Sequence, residues 1–210
     1  MKYIIDTDTM RITPYEDQKN GATATGKSRG VQMVEQLEKW KGAKEWDNIV
    51  SGIQTWFYGY VPETSWCATT MSYLLTAVGI PVRRENVLRL YNFAKKSGVG
   101  KFYTKDELPK NIKRGDILFF LWTGETMTET SSKHVTMCED DTDGEMILCI
   151  GGNQSDGINP ARYDRSYLYG VWRIECNTSS CYTSHIKEVA TCRKSLQLFR
   201  PLAFQSLCVF

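Results

Sequence analysis

The apolar positions change period once along this chain. In its first half they recur at helical spacing, and in its second half they gather into short β-rich stretches. Val31, Val34, Leu37 and Trp40 within GVQMVEQLEKWKGAKEW fall on one helical stripe. WDNIVSGIQTWF reads as a second short helix and leads into the aromatic loop YGYVPETSW. A third helix is expected to start at Thr64 or Ser65, both residue types that cap helix N-termini. In SWCATTMSYLLTAVGIP, Met71, Leu74, Leu75 and Val78 form one face, and Gly79 followed by Pro81 supplies the stop. Cys67 then lies in the first turn.

A polar connection, GVGKFYTKDELPKNIKRGD, separates the helices from DILFFLW, HVTMCED, EMILCIGGN and YGVWRIE, which read as successive antiparallel strands. DTDG between the second and third carries a hairpin signal, and GETMTETSSK before His134 reads as a longer surface loop. The pattern predicts an α+β fold in which the Cys67 helix packs on an antiparallel β-sheet of about four to six strands. Three segments follow: a polar, turn-rich N-terminal stretch over 1–28, a folded domain over 29–176, and a tail over 177–210 with no comparable pattern and no assigned role.

Composition narrows the function. With 210 residues, 41% hydrophobic and 24% charged, the chain can build one substantial core with trimmings. A net charge of +2 gives no electrostatic case for nucleic acid, whose binders usually cluster basic residues. No run approaches the roughly 18 apolar residues of a spanning helix, so no membrane anchor is expected. MKYIIDTDTMRITPYEDQKN turns polar too early for a secretory signal, which predicts a protein made in a cytoplasm without one. Seven cysteines, Cys67, Cys138, Cys149, Cys176, Cys181, Cys192 and Cys208, form an odd set that such a compartment keeps reduced. Cys138 and Cys149 sit in apolar strands and read as small buried hydrophobes. With only His134 and His185 in the chain and no CxxC pair, neither a metal nor a cofactor is expected.

One motif competes for attention. GATATGKS, residues 21–28, spells the G-x-x-x-x-G-K-[ST] phosphate loop. The mechanism needs a strand feeding that loop, and the preceding PYEDQKN is polar and contains a proline. No later apolar run ends in an aspartate suited to magnesium, so a polar loop is the better reading.

A thiolate attacks amide carbons where a thiol does not, and the first turn of a helix lowers a cysteine pKa through free N–H groups and the macrodipole. Cys67 occupies that position. His134, at the start of a strand, is placed to take the thiol proton, and a helix-borne cysteine facing a strand-borne histidine is the papain-like arrangement. A third polar group must hold the imidazole in the useful tautomer, and Asn153 at the end of the next strand is the candidate. Trp66, Trp122 and Tyr60 are candidates for lining the cleft, each with an equal claim as packing.

In order along the chain, SWCATTMSYLLTAVGI, KRGDILFF, KHVTMCED, ILCIGGNQSDGIN and RSYLYGVWRIE resemble the motifs of the CHAP family, the cysteine, histidine-dependent amidohydrolases and peptidases related to the NlpC-type papain-like fold. The resemblance covers roughly residues 35 to 175. It implies that Cys67 attacks, that His134 acts as base and then acid, and that Asn153 orients it. It also implies bacterial peptidoglycan as substrate, cleaved as an N-acetylmuramoyl-L-alanine amidase or a peptide endopeptidase, in the manner of a phage lysin that reaches the wall after release or delivery. The rival of another class is a catalytically silent peptide- or wall-binding module of the same fold. In one respect the chain departs from the family: relatives often carry a glutamate two residues before the asparagine, where this sequence has Gly151.

Overall fold

A computed structural model describes residues 3–6, 11–14 and 27–174. The tail over 177–210, the first six residues of the phosphate-loop spelling, His185 and Cys176, Cys181, Cys192 and Cys208 lie outside the described residues. Within the N-terminal segment, β1 (Tyr3–Asp6) pairs antiparallel with β2 (Arg11–Pro14), two strands in a stretch expected to be polar and turn-rich.

Four helices follow: α1 (Arg29–Lys39), α2 (Asn48–Tyr58), α3 (Cys67–Ala77) and α4 (Val87–Lys96). Helix α1 begins where Ser28 accepts a hydrogen bond from the Val31 N–H at 3.2 Å. Lys27 pairs with Glu35 at 2.6 Å, so the last two letters of the phosphate-loop spelling serve the start of this helix. Val34, Leu37 and Trp40 of the predicted stripe are buried and Val31 is half-buried, while Met33, outside the stripe, is buried as well. Helix α4 lay within a stretch left unassigned from sequence. Its Val87, Leu90, Tyr91 and Ala94 are buried at helical spacing, and the Asn86 side chain caps it.

The sheet has six strands in the order β3-β8-β4-β5-β6-β7, and every pair is antiparallel. They are β3 (Lys101–Thr104), β4 (Ile117–Leu121), β5 (Lys133–Cys138), β6 (Met146–Gly151), β7 (Asn159–Asp164) and β8 (Leu168–Arg173). The helices and the antiparallel sheet together give the α+β architecture the pattern predicts. Both edge strands, β3 and β7, add to the four strands legible in the sequence. Period-two alternation splits the strands between two cores. Ile117, Phe119, Val135, Met137, Ile150 and Trp172 pack with the helices, whereas Leu118, Phe120, Cys138, Ile147, Cys149 and Val171 form a separate cluster.

Helix α3 differs from the expected one-faced helix. Every residue from Cys67 to Leu75 is buried, including Thr69, Thr70 and Ser72. Buried hydroxyls need partners. Thr70 donates to the Trp66 carbonyl at 3.0 Å, Ser72 donates to the Arg84 carbonyl at 2.9 Å and accepts from its N–H at 3.0 Å, and Thr69 meets the Tyr58 hydroxyl at 3.3 Å. Around the same helix Tyr73 meets Trp40 and Trp56 with ring centroids 6.0 and 5.1 Å apart.

The KRGD turn before β4 anchors α1. Gly115 has φ +89°, and a Cβ there would come within 2.6 Å of the Gly30 backbone. The next residue, Asp116, is 1% exposed and forms a two-pronged pair with Arg173 on β8, at 2.8 and 2.7 Å. Gly115→Ala is expected to lower unfolding stability by roughly 2–3 kcal/mol, the left-handed penalty plus the forced separation of α1. Urea denaturation checks this, and a loss under about 0.5 kcal/mol would show that the turn relaxes freely.

Candidate active site

Cys67 is the first residue of α3. The cap falls two residues beyond Thr64 and one beyond Ser65: Trp66 is the N-cap and makes no side-chain cap hydrogen bond. The N–H groups of that first turn are therefore free for another acceptor. One of them, on Ala68, faces the Cys67 sulfur.

The helix terminus reaches the sheet where β5 and β6 part. Their pairing is confined to Met137 with Ile150 and Cys138 with Cys149, so the first residues of β5 have no β6 partner. The Val135 N–H instead points to the Cys67 sulfur. Two glycines make the approach possible. A Cβ on Gly152 would sit 2.7 Å from the Trp66 ring and would overrun the Thr70 hydroxyl, and a Cβ on Gly151 would meet Thr136 at 2.5 Å. A glutamate at 151 does not fit this packing. Trp66 is fully buried, so it is core beneath the site and does not line a cleft.

The His134 imidazole is 6% exposed and is hydrogen-bonded to the Cys67 thiol on one side and to Gln154 on the other. Its Nε2 lies 3.1 Å from Gln154 Oε1. The Gln154 amide is held in one orientation, because its Nε2 donates to the Asn159 carbonyl. Asn159 Nδ2 returns a bond to the Gln154 carbonyl at 2.8 Å. With its Oε1 forced toward the ring, Gln154 can only accept, so His134 Nε2 carries a proton and Nδ1 is left for the thiol. Trp122 and Tyr163 flank the imidazole at centroid distances of 6.1 and 5.8 Å and screen it from water. Tyr163 keeps its proton, since burial above all pushes its phenol up to about 12. Tyr60, the third aromatic candidate, is exposed.

Gln154 thus takes the place expected for Asn153. Asn153 has φ +60°, a left-handed conformation that asparagine tolerates better than most residues, and it turns the chain so that the next side chain enters the site. Gln154→Ala is expected to lower turnover roughly 10- to 100-fold, since it releases the imidazole without removing it, whereas Asn153→Gly leaves turnover within about twofold. Steady-state rates of the two variants decide between them.

The charges favour a reactive sulfur. Burial alone raises the Cys67 thiol, but the His134 charge and hydrogen bond, with the Val135 and Ala68 N–H groups, outweigh it and hold the thiol below its ordinary value. Burial lowers His134, but the Cys67 charge and hydrogen bond, with the Gln154 contact, lift it above the usual imidazole range. Both directions favour passage of the Cys67 proton to His134. By contrast, burial pushes Cys138 up to about 12 and also raises Cys149, as befits packed thiols. Among the described residues, no group of three or more His, Cys, Asp and Glu side chains gathers to hold a metal ion.

Comparison with known protein families, with curated proteins and with solved structures gives no match to this chain.

Proposed function

We propose that this chain is a cysteine-dependent amide hydrolase with a papain-like fold, acting on the peptide of bacterial cell wall. The observation that carries the proposal is the hydrogen-bonded row of thiol, imidazole and carboxamide from Cys67 through His134 to Gln154, with its thiol lowered and its imidazole raised. The substrate rests on the CHAP-like motif order in the sequence.

In the first half-reaction the Cys67 thiolate adds to the amide carbon, and the carbonyl oxygen takes the negative charge. The Cys67 N–H at the open end of α3 is the first donor for that oxyanion. Collapse breaks the C–N bond as His134 Nδ1 passes its proton to the leaving amine, giving a thioester and a neutral imidazole. Water then loses a proton to His134 and attacks the thioester, releasing the acid and restoring the ion pair. Gln154 holds Nε2–H throughout, which keeps Nδ1 turned to the reacting atoms. A phage lysin, or a lysin delivered to the wall by other means, is the setting this chemistry fits.

The test is incubation with sacculi purified from several wall types. Release of new amino groups without new reducing ends is expected, and alkylation of Cys67 should stop it. If amino groups are released from no wall type, the substrate is an amide outside the wall or the fold serves binding alone.

A further inference from the structure

Among the described residues, the non-glycine positions with left-handed backbone are Trp46, Asn153, Ser155 and Asp156. All four lie in two facing loops. Backbone amides join the loops: Gly42 N–H donates to the Ile158 carbonyl, Ile158 N–H to Ala43 and Glu45 N–H to Asp156, each at 2.8 Å. Lys44 pairs with Gly157 in a β-bridge, and the Asp47 carboxylate accepts the Lys44 N–H at 2.7 Å. The second loop is the one that carries Gln154, so the turn holding Trp46 is fixed against the turn that orients His134.

Trp46 combines two unfavourable features. Its φ is +76°, which a bulky side chain rarely adopts, and it is 57% exposed, so its indole gains little from burial. Glycine would suit this turn better on stability alone. Strain of this kind concentrates at sites of function. In the two joined loops, Lys44, Asp47, Asn48, Ser155 and Asp156 are exposed and polar. An apolar peptide side chain is usually held in an enclosing pocket. An exposed indole on a loop of exposed polar residues instead matches a pyranose, whose C–H face stacks on the ring while its hydroxyls meet carboxylates and amides.

We propose that Trp46 is a specificity residue that stacks on a sugar ring of the glycan strand, beside the peptide that enters at Cys67. The inference rests on the wall-hydrolase reading, but its test does not require turnover. The full chain carrying Cys67→Ala is titrated with peptide-free glycan strands and, separately, with free stem peptide, with and without Trp46→Gly or Trp46→Phe. Trp46→Gly is expected to weaken glycan binding roughly tenfold or more, with Trp46→Phe between the two. The thermal midpoint of Trp46→Gly should hold or rise, an outcome that a purely structural tryptophan would not give. Equal glycan binding by parent and Trp46→Gly, no glycan binding by the parent, or a matching loss on free stem peptide would each overturn the proposal. Failure of the hydrolase reading shows separately, as wild-type chain that releases no amino groups from sacculi.

Discussion

Cys67→Ala is expected to lower amide hydrolysis by roughly 10⁴-fold or more, down to whatever the oxyanion donor and binding supply alone. No other described thiol can substitute. Cys138 and Cys149 are fully buried in the second core, and both are held protonated by their surroundings. Cys67→Ser should be equally inactive, because a hydroxyl in the same place is not ionised by the His134 pair. The loss should come without unfolding. Cys67 is already 4% exposed, and alanine removes one buried sulfur at a helix start without breaking the α3 hydroxyl network, so a midpoint shift of only a few degrees is expected. Amino-group release from sacculi and a thermal melt on the same preparation measure both. Residual activity above about one per cent would place the nucleophile elsewhere.

His134→Ala is expected to cost at least about 10³-fold in hydrolysis and to silence the thiol as well. The sign follows from the causes. Burial raises Cys67, and the facing imidazolium with its hydrogen bond is what brings it below its ordinary value. Without His134 the thiol returns to or above the ordinary value of about 8.5, where only a few per cent is ionised at pH 7. Alkylation by iodoacetamide at pH 7 should therefore slow by roughly 30-fold or more, and recover when the chain is denatured at high pH. In the wild type, kcat/KM should follow a bell. Its acid limb lies below the ordinary thiol range, where Cys67 gains a proton, and its basic limb lies above the ordinary imidazole range, where His134 loses one. An alkylation rate unchanged by His134→Ala would remove the ion pair from the mechanism.

Much of this arrangement was legible in residue patterns. Helices α1 and α2 announced themselves through apolar residues at helical spacing, α3 through an apolar run ended by Gly79 and Pro81, and strands β4, β5, β6 and β8 as short, apolar, β-rich stretches. Strand β7 did not, since it is a half-buried edge with Pro160 near its start and Arg162 and Asp164 exposed. Strand β3 hid within the polar connection because it too is an edge, with Lys101 exposed and the rest half-buried. Helix α4 did carry a readable spacing, in Val87, Leu90, Tyr91 and Ala94 behind the Asn86 cap. Tyr163 was missed together with its strand.

At the site, Cys67 and His134 could be named from their helix and strand positions taken together with the order of motifs along the chain. The third partner could not, because Asn153 and Gln154 are adjacent carboxamides in one turn. Which of them points inward depends on the left-handed backbone at 153, and no hydrophobic period reports on that. The Gly151 departure has the same origin, since only the folded contact with Thr136 shows why a larger residue is shut out.

The wholly buried α3 has a consequence for anyone who maps this protein by tolerance to substitution. Thr70 and Ser72 are enclosed on all sides, and Ser72 both donates to and accepts from the Arg84 backbone. In a survival screen of random variants they would be as invariant as Cys67, for reasons of folding alone. Depletion along this helix would then mark the whole segment without singling out the nucleophile. A screen that reads abundance alongside lysis separates the two, because Cys67 variants should accumulate in the cell as intact, silent protein.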